Sequence, residues 1–254
     1  MSNKFIINAD DYGLTESCTK AIADAFKRGL ISSTTACANG AYIAEGLTLA
    51  KENGFADKIG IHINLTEGKP LTDKIANDSF FCEDGKFHGK INRLKKPTKE
   101  QLLAVKEEVS AQIERLISLG YEITHADSHH HSHTCIFLFD AIKEVLLSFG
   151  IKKLRIHRNC GKIPFYKKIL KNWFNKKLKK QGFIVCPYFG SVEDYAENKD
   201  LNAVCEVMVH PDYNENGLLI DRVEQTENGN LGEQLKNALV FTAGQEKISY
   251  RELK

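Results

Sequence analysis

The sequence predicts an α/β fold with a parallel sheet, for which a (β/α) barrel, distorted or seven-stranded, suits better than an open doubly wound sheet. Three observations support this prediction. Strand-like and helix-like patterns alternate along the 254 residues, about seven segments have strand composition, and several of them end on chemically reactive side chains. Periodicity alone does not decide between the two architectures, but a barrel gathers its chemistry at the carboxyl ends of its strands.

The N-terminal third contains alternating elements with clear boundaries. A Gly residue, Gly29, ends the first helix, and a polar loop with Gly and Pro extends from the third strand to about residue 97. These elements are a strand at Phe5–Asn8, a helix from Thr15 to Gly29, a strand within 30–40, a helix from Ala41 to Asn53 and a strand at 59–65.

The clearest helix begins at Thr98. Gln101 stands three residues later, as in a capping box, and helical apolar spacing continues until Gly120. The elements predicted after it are a strand at 121–127, a helix from Ile136 to Phe149, strands at 153–158, 182–187 and 203–211, and a helix from about Leu231.

The composition fits a single domain over residues 1–254. Lys plus Arg is 35 and Asp plus Glu is 33, so the near-zero net charge gives no sign of nucleic-acid binding. No apolar run approaches the length of a membrane span, and the apolar stretch at the N-terminus is too short for a secretory signal. Seven cysteines without a C-x-x-C pair indicate reduced thiols in a cytoplasmic protein.

Reactive side chains lie within or at the end of four of the predicted strands. If these strands are parallel, their ends meet at one rim, where a divalent cation and histidines would make two adjacent carboxylates tolerable. The residues at these ends are Asp10 and Asp11, His62, Asp127 with His129 to His133, and His210.

Each of these residues also has a purely structural interpretation. Asp10 and Asp11 are typical of a turn or a helix cap, His62 of a hydrogen-bonded core histidine, and His210 of a loop. The run HADSHHHSH differs, because it places five histidines in nine residues. On an extended segment His129, His131 and His133 share a face, and on a helix the first and last of them do. Either arrangement favours metal binding over a surface tract.

Lys152–Lys180 is strongly basic. It contains twelve Lys or Arg and no acid, interleaved with Phe165, Tyr166, Trp173 and Phe174. Such a segment is compatible with a nucleic-acid or anionic-membrane surface. Because the net charge of the chain is close to zero, we favour an amphipathic helix with a solvated basic face.

Five motifs give the sequence its resemblance to a known family. They occur in the family's order from the first residues to past 210, and they are NADDYGL, GLISSTTACANG, IGIHINLTEGKPL, THADSHHHSH and VMVHP. At these motifs the chain resembles the YdjC-like family of carbohydrate deacetylases, which includes the chito-oligosaccharide deacetylases. The resemblance implies a TIM-like (β/α) barrel with a divalent metal held by an Asp and two His.

Carried onto this sequence, the resemblance implies a role for each site residue. The metal ligands would be Asp11, His62 and His129, and the ion would be zinc, cobalt, manganese or, less naturally with imidazole, magnesium. Asp10 matches the acid assigned as general base in related polysaccharide deacetylases. His210 would lie near the leaving group, and Arg155 matches an arginine of the family.

Chemistry suggests supporting roles for three neighbours of these residues. Asp127 is placed to orient a ligand imidazole, and His131 and His133 to do similar work or to bind sugar. The family commonly has Leu where Ala126 stands, which is a small change in packing.

We therefore expect metal-dependent N-deacetylation of an acetylated amino sugar or small oligosaccharide, with release of acetate. Another metal-dependent hydrolase, such as a phosphoesterase, and a non-catalytic metal- or sugar-binding protein are the alternatives. The expected partner is the acetylated oligosaccharide, without a membrane and without nucleic acid, and the family resemblance allows a homodimer.

Overall fold

One parallel sheet contains most of the strands. The computed structural model describes residues 4–196, 203–224, 229–239 and 246–254. The strands are β1 (Lys4–Tyr12), β2 (Ser33–Ala36), β3 (Ile59–Ile63), β4 (Cys82–Glu83), β5 (Lys86–Phe87), β6 (Ala126–Ser128), β7 (Tyr188–Ser191), β8 (Cys205–Val209), β9 (Pro211–Tyr213), β10 (Leu219–Asp221) and β11 (Glu246–Lys247). The α-helices are α1 (Glu16–Lys27), α2 (Ile43–Glu52), α3 (Asp73–Ala76), α4 (Lys99–Leu119), α5 (Ile136–Ser148), α6 (Phe165–Lys180), α7 (Val192–Ala196) and α8 (Leu231–Leu239). Short 3-10 helices lie at Ala56–Lys58, His129–Thr134 and Tyr250–Glu252.

β1 lies inside the sheet, whose strand order is β6-β3-β2-β1-β8-β7, and β11 pairs with the start of β1. Each of these pairings is parallel, so the carboxyl ends of the strands lie on the same edge. β1 is almost completely buried, as expected for a strand covered on both faces. The predicted α/β fold with a parallel sheet is confirmed.

The segment 153–160 contacts both ends of this strand order. A parallel bridge joins Leu154 to Ala126 of β6, and another joins Lys153 to Ile184. The amide of Cys160 donates to the carbonyl of Phe189 in β7 at 3.1 Å. The strands predicted at 153–158 and 182–187 are thus represented by single bridges.

The regular strand near the range predicted at 182–187 is β7, and it begins later than predicted. β7 begins at Tyr188, directly after Pro187, because proline has no amide hydrogen to donate to a ladder. Hydrogen bonds from the Asn159 side chain replace some of the backbone ladder bonds. Its Nδ2 donates to the Pro187 carbonyl at 2.9 Å, and its Oδ1 accepts from the Phe189 amide at 2.9 Å. Side-chain pairing of this kind leaves no mark in a periodicity pattern.

α4 confirms the predicted helix boundaries. The Thr98 hydroxyl accepts from the Gln101 amide at 3.2 Å, and the Gln101 side chain accepts from the Thr98 amide at 2.9 Å, which is the expected capping box. Gly120 ends the helix with a φ of 92°, a left-handed conformation that glycine adopts at little cost.

The predicted polar loop before α4 contains structure of its own, namely α3 and the β4–β5 hairpin. Glu108 of α4 is fully buried there. Its carboxylate accepts hydrogen bonds from the amides of Leu71 and Thr72 at 3.0 and 2.9 Å and from the Thr72 hydroxyl at 2.8 Å. These bonds satisfy a buried charge and fix the loop on the long helix.

The second half of the basic segment forms α6, as the amphipathic interpretation predicts, whereas 152–164 is not helical and its Arg155 is buried. The outer face of α6 is not purely basic. Phe174 and Leu178 pack into the core, whereas Phe165 is 79% exposed and Trp173 is 49% exposed. Among the described helices, none combines the length and the apolar character that crossing a membrane requires. All seven cysteines are buried and carry unpaired thiols.

Candidate functional site

The end of β1 brings two adjacent carboxylates to one cavity. In a regular strand Asp10 and Asp11 would point to opposite faces. Here the register with β2 shifts between Ala9 and Tyr12, and Asp11 has a φ of 73°. A bulge with a left-handed residue re-aims a side chain, so both carboxylates line the same cavity.

Asp11 contacts side chains from three distant parts of the chain. Its Oδ1 lies 3.2 Å from His62 Nε2 and 2.8 Å from His129 Nδ1, and Arg222 Nη2 donates to its Oδ2 at 2.7 Å. Burial raises the pKa of Asp11, but hydrogen bonds from His129 and His62 outweigh burial and hold this pKa well below its usual value. The structure therefore brings together the acid and the two imidazoles that the sequence analysis selects as ligands.

Asp127 fixes the orientation of His62. Its Oδ1 lies 2.6 Å from His62 Nδ1, and its Oδ2 accepts from the Thr35 hydroxyl at 3.0 Å. A carboxylate on one imidazole nitrogen sets the tautomer and aims the other nitrogen, which here is the Nε2 that faces Asp11. Asp127 thus has the orienting contact that the sequence analysis expects.

Asp10 forms a buried ion pair with Arg155. Nη1 donates to Oδ2 at 2.6 Å and Nη2 to Oδ1 at 2.7 Å, and Asn8 Nδ2 donates to Oδ1 at 2.9 Å. Burial raises the pKa of Asp10, but the Arg155 charge outweighs it, so the pKa lies well below its usual range. Asp10 is consequently ionised and held in one orientation.

Arg155 lies at the centre of a larger buried network. Besides Asp10 it contacts Asp127 at 2.8 Å and Glu206 at 2.7 Å, and the Tyr250 hydroxyl donates to Glu206. Burial raises the pKa of Glu206 to about 7, although Arg155 and Tyr250 oppose this shift. The network holds Arg155, and through it Asp10, in place.

His210 follows β8 and lies beside Asp10 in the lining of the cavity. Its Nε2 lies 3.9 Å from Asp10 Oδ2. Its amide donates to Asp221 Oδ2 at 3.2 Å, and its Nδ1 lies 3.9 Å from Asp221 Oδ1. Asp221 belongs to the β9–β10 hairpin, so this hairpin positions His210.

The histidine run divides into two groups. His129, His130 and His131 line the cavity. His133 lies behind the wall, where its Nδ1 is 2.5 Å from the Ser128 hydroxyl and its Nε2 is 3.1 Å from the Arg155 carbonyl. His125 is also buried, and it stacks on a tyrosine ring at 3.8 Å.

The shared-face prediction for His129, His131 and His133 is wrong, because the run is neither extended nor regularly helical. His130 and His131 have positive φ values of 50° and 53° inside a 3-10 segment, and these turn the chain between His129 and His133. The contacts of His133 are with Ser128 and the Arg155 carbonyl, so they support neither the orienting nor the sugar-binding role expected for it. His131 faces the cavity, and burial followed by the Arg155 charge lowers its pKa to about 3.

Arg93 braces this strained turn. Its Nη2 donates to the carbonyls of His130 and His131 at 3.1 and 2.8 Å, and its Nη1 donates to the Thr134 hydroxyl at 3.2 Å. Left-handed non-glycine residues persist only where their surroundings hold them. Arg93 therefore fixes the loop that carries His129.

The cavity has a volume of about 220 Å³. It is lined by Asp10, Asp11, His62, Ser128, His129, His130, His131, Met208, His210, Arg222 and Val223.

Sequence reasoning missed several residues at this site. Glu67 Oε2 lies 2.8 Å from His129 Nε2, and Cys37 offers a sulfur within 4.8 Å of ligand atoms on Asp11 and His62. Both residues stand in motifs that carry the family resemblance, but neither belongs to the histidine run or to the strand-end acids, and Arg93 and Arg222 lie in loops whose contacts are long-range. The acid in TEGKPL was a signal for Glu67, since that motif follows the strand of His62.

Comparisons with known proteins show the family to which this chain belongs. The YdjC-like protein family matches residues 4–243. A carbohydrate deacetylase of Oceanobacillus iheyensis is 37% identical over 145 residues, which are 57% of this chain and only 61% of that relative. A carbohydrate deacetylase of Listeria monocytogenes is 27% identical over an alignment that covers 98% of this chain and 100% of the relative.

A solved structure has the same fold. It is a crystal structure from Enterococcus faecalis V583 of a protein named for a proposed role in cellobiose-phosphate cleavage. It superimposes with a TM-score of 0.72 at 23% identity, covering 100% of this chain and 99% of that one. Because the family match covers nearly the whole chain, from the first strand to beyond the last site residue, this protein is a member of the YdjC-like family.

Proposed function

We propose that this protein is a metal-dependent hydrolase that removes N-acetyl groups from an acetylated amino sugar or small oligosaccharide and releases acetate. One observation carries the proposal: Asp11, His62 and His129, from distant parts of the chain, meet beside the ionised Asp10 in a single cavity. Relatives named carbohydrate deacetylase support the substrate class and the reaction.

The residues present fit a divalent cation. A carboxylate and two imidazoles suit zinc, cobalt or manganese better than magnesium, and the Asp127 contact with His62 is typical of a metal-binding histidine. We assign Asp11, His62 and His129 as the ligands. When bound, such an ion supplies Lewis acidity, which polarises the acetyl carbonyl and makes water a better nucleophile.

Asp10 is the general base in this mechanism. It takes a proton from the attacking water, and Arg155 keeps it ionised and oriented at neutral pH. Because its pKa is low, Asp10 is a weak base. Proton transfer from the attacking water to Asp10 is therefore favourable only if the pKa of that water is also lowered.

His210 is the general acid. It donates a proton to the sugar nitrogen as the amide C–N bond breaks, so the amine leaves neutral and acetate remains. The Asp221 carboxylate accepts from the His210 amide at 3.2 Å and its Oδ1 lies 3.9 Å from His210 Nδ1, so the β9–β10 hairpin holds His210 at the cavity. His210 Nε2 lies 3.9 Å from Asp10 Oδ2, so the acid and the base lie beside each other at the cavity.

The volume of the cavity limits how much of a substrate it can enclose. About 220 Å³ is below the range typical of sites for drug-sized ligands, roughly 300–1,000 Å³. It fits the reacting end of a sugar, so further residues of an oligosaccharide lie outside. His131, a neutral imidazole on the cavity wall, is placed to contact the reacting sugar.

We also propose that the sheet closes into a distorted, seven-stranded TIM-like barrel. The contacts of 153–160 with Ala126 on one side and Phe189 on the other support closure. Seven unpaired thiols support a cytoplasmic location.

The test is a product assay on purified protein that is stripped by a chelator and reloaded with zinc, cobalt, manganese or magnesium in turn. N-acetylated chito-oligosaccharides and a panel of sugar phosphates are offered in parallel. The proposal predicts acetate release in the reloaded protein and none after stripping. Phosphate release instead would favour the phosphoesterase alternative, and metal binding without either product would favour the non-catalytic one.

A further inference from the structure

A second, larger cavity lies outside the candidate site. It has a volume of about 640 Å³ and shares no lining residue with the first cavity. It lies between α6, the start of α5 and the chain around Arg93, and its walls include Arg93, His157, Lys167, Lys171, Leu170 and Trp173. We propose that it binds a small organic anion with an aromatic or aliphatic body.

The charge of the walls is of one sign. Arg93, Lys167 and Lys171 line the cavity, and among its described lining residues there is no Asp or Glu. Within the described part of the chain, neither lysine has a carboxylate within ion-pair distance. Arg93 reaches only neutral carbonyls and a hydroxyl. Cations gathered at one cavity repel one another, and an anion bound there would reduce this repulsion.

The titration of two lining groups supports this view. Burial, followed by the charges of Arg158 and Lys167, lowers the pKa of Lys171. Burial, followed by Lys171 and Arg93, lowers the pKa of His157 to about 4. Burial is the largest cause of both shifts, and the neighbouring cations add to it, which agrees with the basic lining of the cavity.

The remaining walls are apolar and exposed to an unusual degree. Leu94 is 95% exposed, Leu170 is 59% exposed and Trp173 is 49% exposed. Large apolar side chains at the mouth of a cavity favour a ligand with an apolar body. The volume is also within the range of small-molecule sites. An inorganic anion would pair with the cations but would leave these apolar side chains exposed to water.

The chain provides its own reporter for this site. Trp173 is the single tryptophan, so energy transfer from protein emission to a bound fluorophore reports on this cavity. The probe is 1-anilinonaphthalene-8-sulfonate, an aromatic anion, and its neutral relative N-phenyl-1-naphthylamine tests the need for charge. We expect saturable binding of the anion with quenching of Trp173, and binding of the neutral probe at least tenfold weaker.

Two matched double variants make the test specific. K167Q/K171Q removes two cavity cations and should weaken binding of the anion by roughly tenfold. K176Q/K179Q makes the same charge change on exposed positions of the same helix outside the lining and should leave binding unchanged. Circular dichroism and thermal melting check that both variants are folded.

Competition distinguishes two sources of such an anion. Displacement of the probe by 2-naphthoate supports an anion with an aromatic body, and displacement by octanoate supports one with an aliphatic body. The proposal is overturned if neither competes, if the neutral probe binds equally well, or if K167Q/K171Q binds the anion like the unaltered protein. Neither the activity nor the metal enters these measurements, so their outcome is independent of the proposed deacetylase function.

Discussion

His129 Nδ1 lies 2.8 Å from Asp11 Oδ1, although 118 positions separate the two residues in the chain. Parallel pairing along β1, β2, β3 and β6 brings their strand ends to one edge of the sheet. The bulge at Asp11 and the left-handed turn after His129 then aim the two side chains at each other. The contact follows from topology and two local distortions together.

Replacing Asp10 by Asn should separate catalysis from metal binding. Asp10 contacts Arg155 and does not belong to the proposed ligand set, so D10N should retain one metal per chain while kcat falls by roughly 10²–10⁴. Metal content by elemental analysis and acetate release measure the two effects. Asp57→Asn, at an exposed ion pair, is the control. Loss of the metal from D10N would mean that the roles of Asp10 and Asp11 are shared or reversed.

Replacing His210 by Ala should impair substrates according to their leaving groups. A sugar amine needs a proton to leave, so acetate release from the N-acetyl sugar should fall by roughly 10²–10⁴. An activated ester such as p-nitrophenyl acetate leaves without a proton and should lose much less. Equal losses on both substrates would argue against general-acid catalysis by His210.

Replacing Arg93 by Ala should weaken metal binding from outside the ligand set. The change removes three hydrogen bonds to the turn after His129, so we expect metal affinity to fall by about tenfold and amide exchange across 129–134 to rise. Arg93→Lys should be intermediate, because Lys lacks the planar fork. Arg251→Ala, at an exposed pair, is the control, and an unchanged affinity in R93A would show that the brace is dispensable.

Glu206 should give the protein a pH-dependent stability. Burial raises its pKa from 4.5 to about 7, so between these values the folded state binds a proton that the unfolded chain has released. The free energy of unfolding of the unaltered protein, relative to E206Q, should therefore fall as pH rises from 5 to 8, by about 2 kcal/mol. Urea unfolding of both proteins across this range measures the effect, with Glu107→Gln as an exposed control. A difference that is constant with pH would contradict the raised pKa.

Local signals in the sequence were enough to place most of the elements. Apolar spacing together with Thr98, Gln101 and Gly120 fixed α4 to within a residue or two, because capping chemistry is contained in adjacent positions. The strand ends at Asp10 and His210 were likewise visible, since a short apolar run that stops at a polar residue needs no distant information.

The rest depended on contacts between distant segments. Arg93, Arg222 and Asp221 act through loops and a hairpin whose positions only the folded chain defines, and no local pattern marks them. The left-handed φ of Asp11 and of His131 is imposed by surrounding structure against intrinsic preference. The sequence pattern therefore identified the histidines near the site, but the prediction of which of them share a face was wrong.

The most direct measurement for the central claim is a crystal structure of the metal-reconstituted protein with anomalous data at the absorption edge of the bound zinc or cobalt. We expect one strong anomalous peak in contact with Asp11, His62 and His129, and no such peak in crystals of H129A. A peak elsewhere, or one that persists beside Asp11 without the imidazole of His129, would contradict it.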